Sequence, residues 1–156
     1  MKLISHRGNL LGRFPELENS PKYIDLAIKN GFEVEIDLRV QFGKFFLGHD
    51  YPQYEIDIDW LSCRKQHLLI HAKDFESLSW LSKSDFIYFF HEKEAYSVIS
   101  NGLIWCHDIT MFNNKCIIPL MTQEEITNFK RMDIKGVCSD YIQLKKHETY
   151  YNFIGK

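Results

Sequence analysis

The chain has 156 residues, enough for one domain with a sizeable core, and that domain is expected to span residues 1–156. Apolar residues make up 45% and charged residues 26%, which excludes disordered and fibrous classes. A net charge of -2, from 19 basic and 21 acidic residues, offers no polyanion-binding surface, so nucleic acid is not an expected partner.

Lys2 to His6 reads as a short apolar strand, and Gly8 permits a sharp turn after it. Asn9 to Leu17 is loop. Ser20-Pro21 is a helix start, a capping hydroxyl followed by proline at the first helical position. The helix is expected over Pro21 to Asn30, with Tyr23, Ile24, Ala27 and Ile28 on one face and Gly31 as its C-terminal cap. Phe32 to Val40 is a strand. Val34, Ile36 and Leu38 face one way, and Glu33, Glu35, Asp37 and Arg39 the other. Four charges on one face mean that this face either meets solvent or lines a polar site. Gly43 turns a hairpin, whose return arm, Lys44 to Gly48, leads to His49-Asp50. Tyr51 to Lys65 reads as loop with one turn of helix at Asp59 to Cys63.

His67 to Ala72 is strand-like, with His71 and Lys73 on the same face. Asp74 caps a helix over Phe75 to Ser82. Asp85 to Phe90 is a strand ending at His91-Glu92. Lys93 to Asn101 reads as helix, stopped by Gly102. Leu103 to Cys106 is a strand ending at His107-Asp108, and Cys116 to Leu120 is another. Thr122 with Glu125 is a capping box that opens a helix to about Met132. Lys135 to Ser139 is the last strand, ending at Asp140, and Tyr141 to Lys156 forms a terminal helix or tail. Lys145-Lys146-His147 reads as a solvated basic patch.

Seven strands, with the hairpin arm as an extra, alternate with helices, the pattern of a parallel sheet with crossovers. Cys63, Cys106, Cys116 and Cys138 are scattered, and three of them lie in apolar runs, which implies a reduced interior without a disulfide framework. No run approaches the ~18 apolar residues of a membrane span, and Met1 leads directly into the first strand. A cytoplasmic protein without stable membrane insertion is expected. The sequence leaves the oligomeric state open.

Polar residues collect at the C-terminal ends of the strands: His6-Arg7, Glu35 and Asp37, His71 and Lys73, His91-Glu92, His107-Asp108, and Asp140. In parallel barrels and open parallel sheets this is the functional rim. Glu35 and Asp37 lie on one face and repel, an arrangement best tolerated around a hard divalent cation. The pair alone also fits a solvated edge strand. His6 and His49 titrate near neutrality and suit a general acid and base. Arg7 offers paired donors to a phosphate.

These residues resemble the glycerophosphodiester phosphodiesterases, a branch of the phosphodiesterase TIM barrels that includes the phosphatidylinositol-specific phospholipases C. The likeness rests on His6-Arg7-Gly8, Glu18-Asn19-Ser20, Gly31, Glu35-x-Asp37, Gly43, His49-Asp50, Lys73, and Gly136-Val137-Cys138-Ser139-Asp140-Tyr141. It implies an α/β, TIM-type (β/α) barrel. Such barrels usually take ~250 residues, so a shortened one is expected, with fewer than eight strands or missing helices. It implies metal ligation by Glu35 and Asp37, acid–base catalysis by His6 and His49, and phosphate contacts from Arg7 and Lys73. His71 stands where the family has a metal-ligating glutamate. With His71 as the third ligand, Mg²⁺ or Ca²⁺ is expected, and a softer Mn²⁺ or Zn²⁺ also suits the imidazole. The substrate implied is a small phosphodiester. Two other readings fit the same residues: a barrel that binds a phosphorylated ligand without turnover, and a lyase that stops at a cyclic phosphate.

Overall fold

The computed structural model describes residues 1–130 and 133–146. Strand β1 (Lys2–His6) lies in the middle of a ten-stranded sheet. On one side it pairs in parallel with β2 (Glu33–Gln41), which pairs with β5 (Leu68–Ala72), which pairs with β6 (Tyr88–Phe89). On the other side come β10 (Gly136–Ser139), β9 (Cys116–Pro119) and β8 (Ile104–Cys106), all parallel. The seven parallel strands are thus β6-β5-β2-β1-β10-β9-β8, the seven expected from the alternation. A hairpin arm, β3 (Lys44–Leu47), and β4 (Tyr54–Ile56) extend the β1 edge of β2 in antiparallel fashion. The chain is a mixed α/β protein, a curled sheet of the shortened TIM-barrel type.

Helices α1 (Pro21–Lys29), α2 (Ile58–Arg64) and α3 (Phe75–Leu81) cover β2 and β5. Ile24, Ala27, Leu61 and Leu81 pack there on Val34, Ile36, Leu38 and Ile70. Helix α4 (Gln123–Asn128) and a short helix at 142–146 cover β9 and β10 through Ile126 and Ile142 against Ile118 and Val137. A third apolar cluster takes residues from six strands and none from a helix: Ile4, Leu69, Phe89, Trp105, Ile117 and Cys138, joined by Ile99. It fills the inside of the curl.

Several local expectations hold. Pro21 opens α1, Gly31 follows its end at φ 84, and Thr122 and Glu125 form the capping box of α4, whereas the Ser20 hydroxyl expected to cap α1 makes no capping hydrogen bond. Three readings change. Lys93 to Asn101 is not helical: Tyr96–Val98 is a strand, β7, antiparallel to β8. Exposure there alternates with period two, Ser97 and Ile99 buried and Tyr96 and Val98 exposed, so the inward apolar position fits a strand. Tyr51 to Lys65 carries β4 and α2 rather than one helical turn. Helix α4 ends at Asn128, where Phe129 turns extended, and the expected end at Met132 lies outside the described residues. Lys145 is no solvated patch either. It is buried, with its ammonium donating to the Phe129 carbonyl, while His147 and the rest of the expected tail lie outside the described residues.

Two of the six crossovers between parallel strands lack a helix: β7 replaces one between β6 and β8, and 107–115 connects β8 to β9 without one. That is where the chain saves length. No helix among the described residues is long and apolar enough to cross a membrane.

Gly48 sits at φ 147, and a Cβ there would strike the Tyr51 carbonyl and come within 3.0 Å of the Gln53 amide. Gly48→Ala is expected to lower unfolding free energy by about 1–3 kcal/mol in urea titrations. An unchanged midpoint would show that the turn before His49 is not constrained in this way.

Candidate active site

The inward face of the sheet carries one repeated instruction. Two residues beyond an apolar residue of the inner cluster stands a polar one: Ile4 then His6, Leu69 then His71, Phe89 then His91, Trp105 then His107, Cys138 then Asp140. Side chains alternate with period two along a strand, so each polar group sits directly above the plug at the C-terminal rim. On β2 the outward residues Val34, Ile36 and Leu38 meet the helices, which turns Glu35 and Asp37 inward. The solvated-edge alternative for this pair is therefore excluded: β2 is a central strand, Glu35 is 2% exposed and Asp37 fully buried.

His6, Arg7, Glu35, His49, His71 and Lys73 line one cavity of 430 Å³, and Asp37 lies directly behind them. His91, Trp105 and His107 form its far wall. Glu35, Asp37 and His71 offer ligand atoms within 4.8 Å of one another, a group that could hold a metal ion. Asp37 Oδ1 and Glu35 Oε2 are buried and accept no hydrogen bond. The His71 ring closes the third side. Its Nε2 is 3.4 Å from the His91 carbonyl, and its Nδ1 is 3.3 Å from Asp37 and 3.7 Å from Glu35. Nδ1 faces the two carboxylates, so a neutral His71 with its proton on Nε2 would turn a lone pair toward a cation held there. Orphaned carboxylate oxygens and a converging imidazole nitrogen fit a divalent cation.

Asp37 is held from several directions. Asn19 donates to Oδ2 at 2.8 Å and accepts from the Asp37 amide at 3.0 Å. Arg7 Nε stands 2.8 Å from the same oxygen and Arg7 Nη1 donates to Glu18 at 3.1 Å. Both Arg7 and Asn19 adopt left-handed backbone, φ 54 and 62, fixed by amide bonds from Arg7 to the Glu35 carbonyl and from Asn19 to the Arg7 carbonyl. Burial alone would push the Asp37 carboxyl up. His71, Arg7 and Asn19 instead hold it well below the ordinary carboxylate range. Glu35 is pushed up, by burial and then by Asp37 beside it. Lys73, 4.0 Å from Asp37, is drawn down by burial.

The two histidines are biased in opposite directions. Burial pulls His6 down, but the 2.7 Å bond from Nδ1 to Asp140 and the nearby Glu35 more than reverse this and raise its pKa. His49 is lowered, first by partial burial and then by Arg7, despite its 2.7 Å contact with Asp50. His91, on the far wall, is drawn down to about 4 by burial and by its imidazole neighbours His71 and His107.

All seven expected site residues thus meet around one cavity. Arg7 differs in detail, because it is paired with Asp37 and Glu18 as well as facing the cavity. Of the weaker strand-end pairs, His91, Glu92 and His107 line the cavity, while Asp108 accepts from the Thr110 amide. Residue-level reading assigned no role to three supporting groups. Asp140 orients His6, and Asn9 also donates to Asp140, at 2.8 Å. Asn19 clasps Asp37. Arg39 donates to the Gly48 carbonyl at 3.0 Å and to the His49 carbonyl, pinning the segment that carries His49. The signal for Arg39 was its place on the charged face of β2, and for Asp140 its place at a strand end.

No family model and no curated protein matches the sequence. The fold is similar to the crystal structure of a glycerophosphodiester phosphodiesterase from Thermotoga maritima, at 14% identity and a TM-score of 0.47, over 95% of this chain and 98% of that one.

His6 binds its proton more tightly folded than unfolded. It therefore contributes stability that is fully present below its unfolded value of about 6.5 and is lost as pH rises through its higher folded pKa. Asp140→Asn should lower the His6 pKa in an NMR titration and flatten this part of the stability profile. An unmoved His6 titration would show that Asp140 does not set its charge.

Proposed function

We propose that the protein is a divalent-cation-dependent phosphodiesterase that cleaves a glycerophosphodiester or similar small phosphodiester to an alcohol and a phosphomonoester. The observation that supports this most is the meeting, in one cavity, of a buried carboxylate pair with two histidines biased to opposite protonation states. A pair of titratable groups pushed apart in this way is the usual arrangement for acid–base work.

Glu35, Asp37 and His71 would hold the cation, which when bound supplies Lewis-acid polarisation of a phosphoryl oxygen. Arg7 and Lys73 face the same space and orient the phosphate. His49, with its lowered pKa, takes the proton from the attacking water, whose oxygen forms the new P–O bond. His6, whose pKa the contact with Asp140 helps to raise, gives a proton to the leaving alkoxide from Nε2, the nitrogen that Asp140 leaves free. The apolar plug beneath keeps bulk water away from the buried side of the site, which strengthens each of these interactions.

A second reading, a barrel that binds a phosphorylated ligand without turnover, draws on the same His71. A doubly protonated His71, 3.3 Å from Asp37, can itself neutralise the carboxylates in place of a cation.

The purified protein with glycerophosphodiesters or a chromogenic phosphodiester, and with Mg²⁺, Ca²⁺, Mn²⁺ or Zn²⁺, should release alcohol. His6→Ala and His49→Ala should each lower kcat by about 10²–10⁴. The kcat/KM profile should rise with pH through the depressed His49 pKa and fall through the raised His6 pKa. No turnover with any cation, or turnover indifferent to both substitutions, would reject the enzyme.

A further inference from the structure

Three of the four cysteines are buried, and two of them meet. Cys106 ends β8 and Cys116 opens β9, neighbouring parallel strands in which Ile104 pairs with Cys116. Both thiols point to the helix-covered side of the sheet, in the cluster built around Ile118 and Ile126. Their sulfurs lie 2.6 Å apart, inside the ~3.5–4.0 Å at which non-bonded heavy atoms rest. Connection 107–115 folds back to hold this pairing. The Asn113 amide donates to the Cys116 sulfur at 3.4 Å, the Cys116 amide donates to the Asn113 carbonyl at 3.1 Å, and the Asn113 side chain accepts from the Lys115 amide at 2.8 Å. The other two cysteines do not compete: Cys138 faces the opposite, inner cluster and Cys63 is exposed on α2.

We propose that Cys106 and Cys116 form a modification site, joined as an intramolecular disulfide by exchange with a low-molecular-weight disulfide such as oxidised glutathione. The Cys116 thiolate attacks one sulfur of the oxidant, breaking its S–S bond and releasing one thiol. The Cys106 thiolate then attacks Cys116 in the mixed disulfide, forming the Cys106–Cys116 bond and releasing the second thiol. The protein loses two protons and two electrons, and the oxidant is reduced to two thiols.

Access comes from the place of the pair in the fold. Strand β8 borders only the three-residue β7 on its outer side, and most of 109–115 is exposed. Local opening at that corner uncovers the sulfurs while the centre of the sheet stays paired. The bond would close the connection that begins with His107, a residue of the cavity's far wall, and so tie the redox state of the pair to the rigidity of that wall.

The test uses the folded chain incubated with oxidised glutathione, alongside a Cys63→Ser variant that removes the exposed thiol. After denaturation, wild-type protein should have lost the Cys106 and Cys116 thiols of its four. The Cys63→Ser protein should have a mass lower by two hydrogens, and a peptide linking Cys106 to Cys116 should be recovered. Thermal unfolding should rise by roughly 5–10 °C, the effect of closing so short a loop in a domain of this size. Cys116→Ser and Cys106→Ser should each lack the link and the rise. Persistence of both thiols, glutathione adducts without a link, a link through Cys138, or the same thermal rise in either serine variant would overturn the proposal.

Discussion

Glu35 and Asp37 are buried side by side on a central strand, and much of the surrounding structure answers that placement. An ionised carboxylate removed from water is unfavourable by several kcal/mol unless it is paired. Two adjacent ones oppose each other as well. Arg7, Asn19 and His71 converge on Asp37, while His6 stands 3.8 Å from Glu35. Delivering Arg7 and Asn19 takes two left-handed backbone positions, each locked by an amide bond to a neighbouring segment. The compensation is incomplete, since one oxygen on each carboxylate accepts no hydrogen bond. That residue of unsatisfied charge is why the pair, together with His71, could hold a metal ion.

The sheet supplies the other half of the arrangement. Its inward positions change character at one level: below are Ile4, Leu69, Phe89, Trp105 and Cys138, and two residues further on are His6, His71, His91, His107 and Asp140. One period-two register therefore builds both a dry plug and the polar ring above it. The plug lowers the local dielectric, which strengthens the pull of Asp140 and Glu35 on His6, while partial burial and Arg7 act on His49 in the opposite direction.

Much of this was legible in the sequence because it depends on short-range signals. Proline after Ser20, glycine at 31 and the Thr122–Glu125 box mark helix ends through local chemistry. The spacing of Glu35 and Asp37 fixes a common face whatever their neighbours are. The Lys93–Asn101 segment does not declare its strand locally, because its alternation is short and its polar residues also suit a helix. Only the packing of Ile99 in the inner cluster and the pairing of Tyr96–Val98 with β8 decide it. Asn19 on Asp37, Arg39 on the His49 segment and Asp140 on His6 join residues 18, 10 and 134 positions apart. Such contacts are set by how the sheet curls, which local pattern does not encode.

The central claim is that the two buried carboxylates and His71 form a cation site rather than a self-neutralised cluster. Isothermal calorimetry with Mg²⁺ and Mn²⁺ on wild type, Glu35→Gln and His71→Glu tests it most directly. The account predicts one equivalent of cation bound by wild type, loss of binding in Glu35→Gln, and tighter Mg²⁺ binding in His71→Glu, which supplies a third hard oxygen ligand. Absence of binding in wild type, or the same binding in Glu35→Gln, would contradict it.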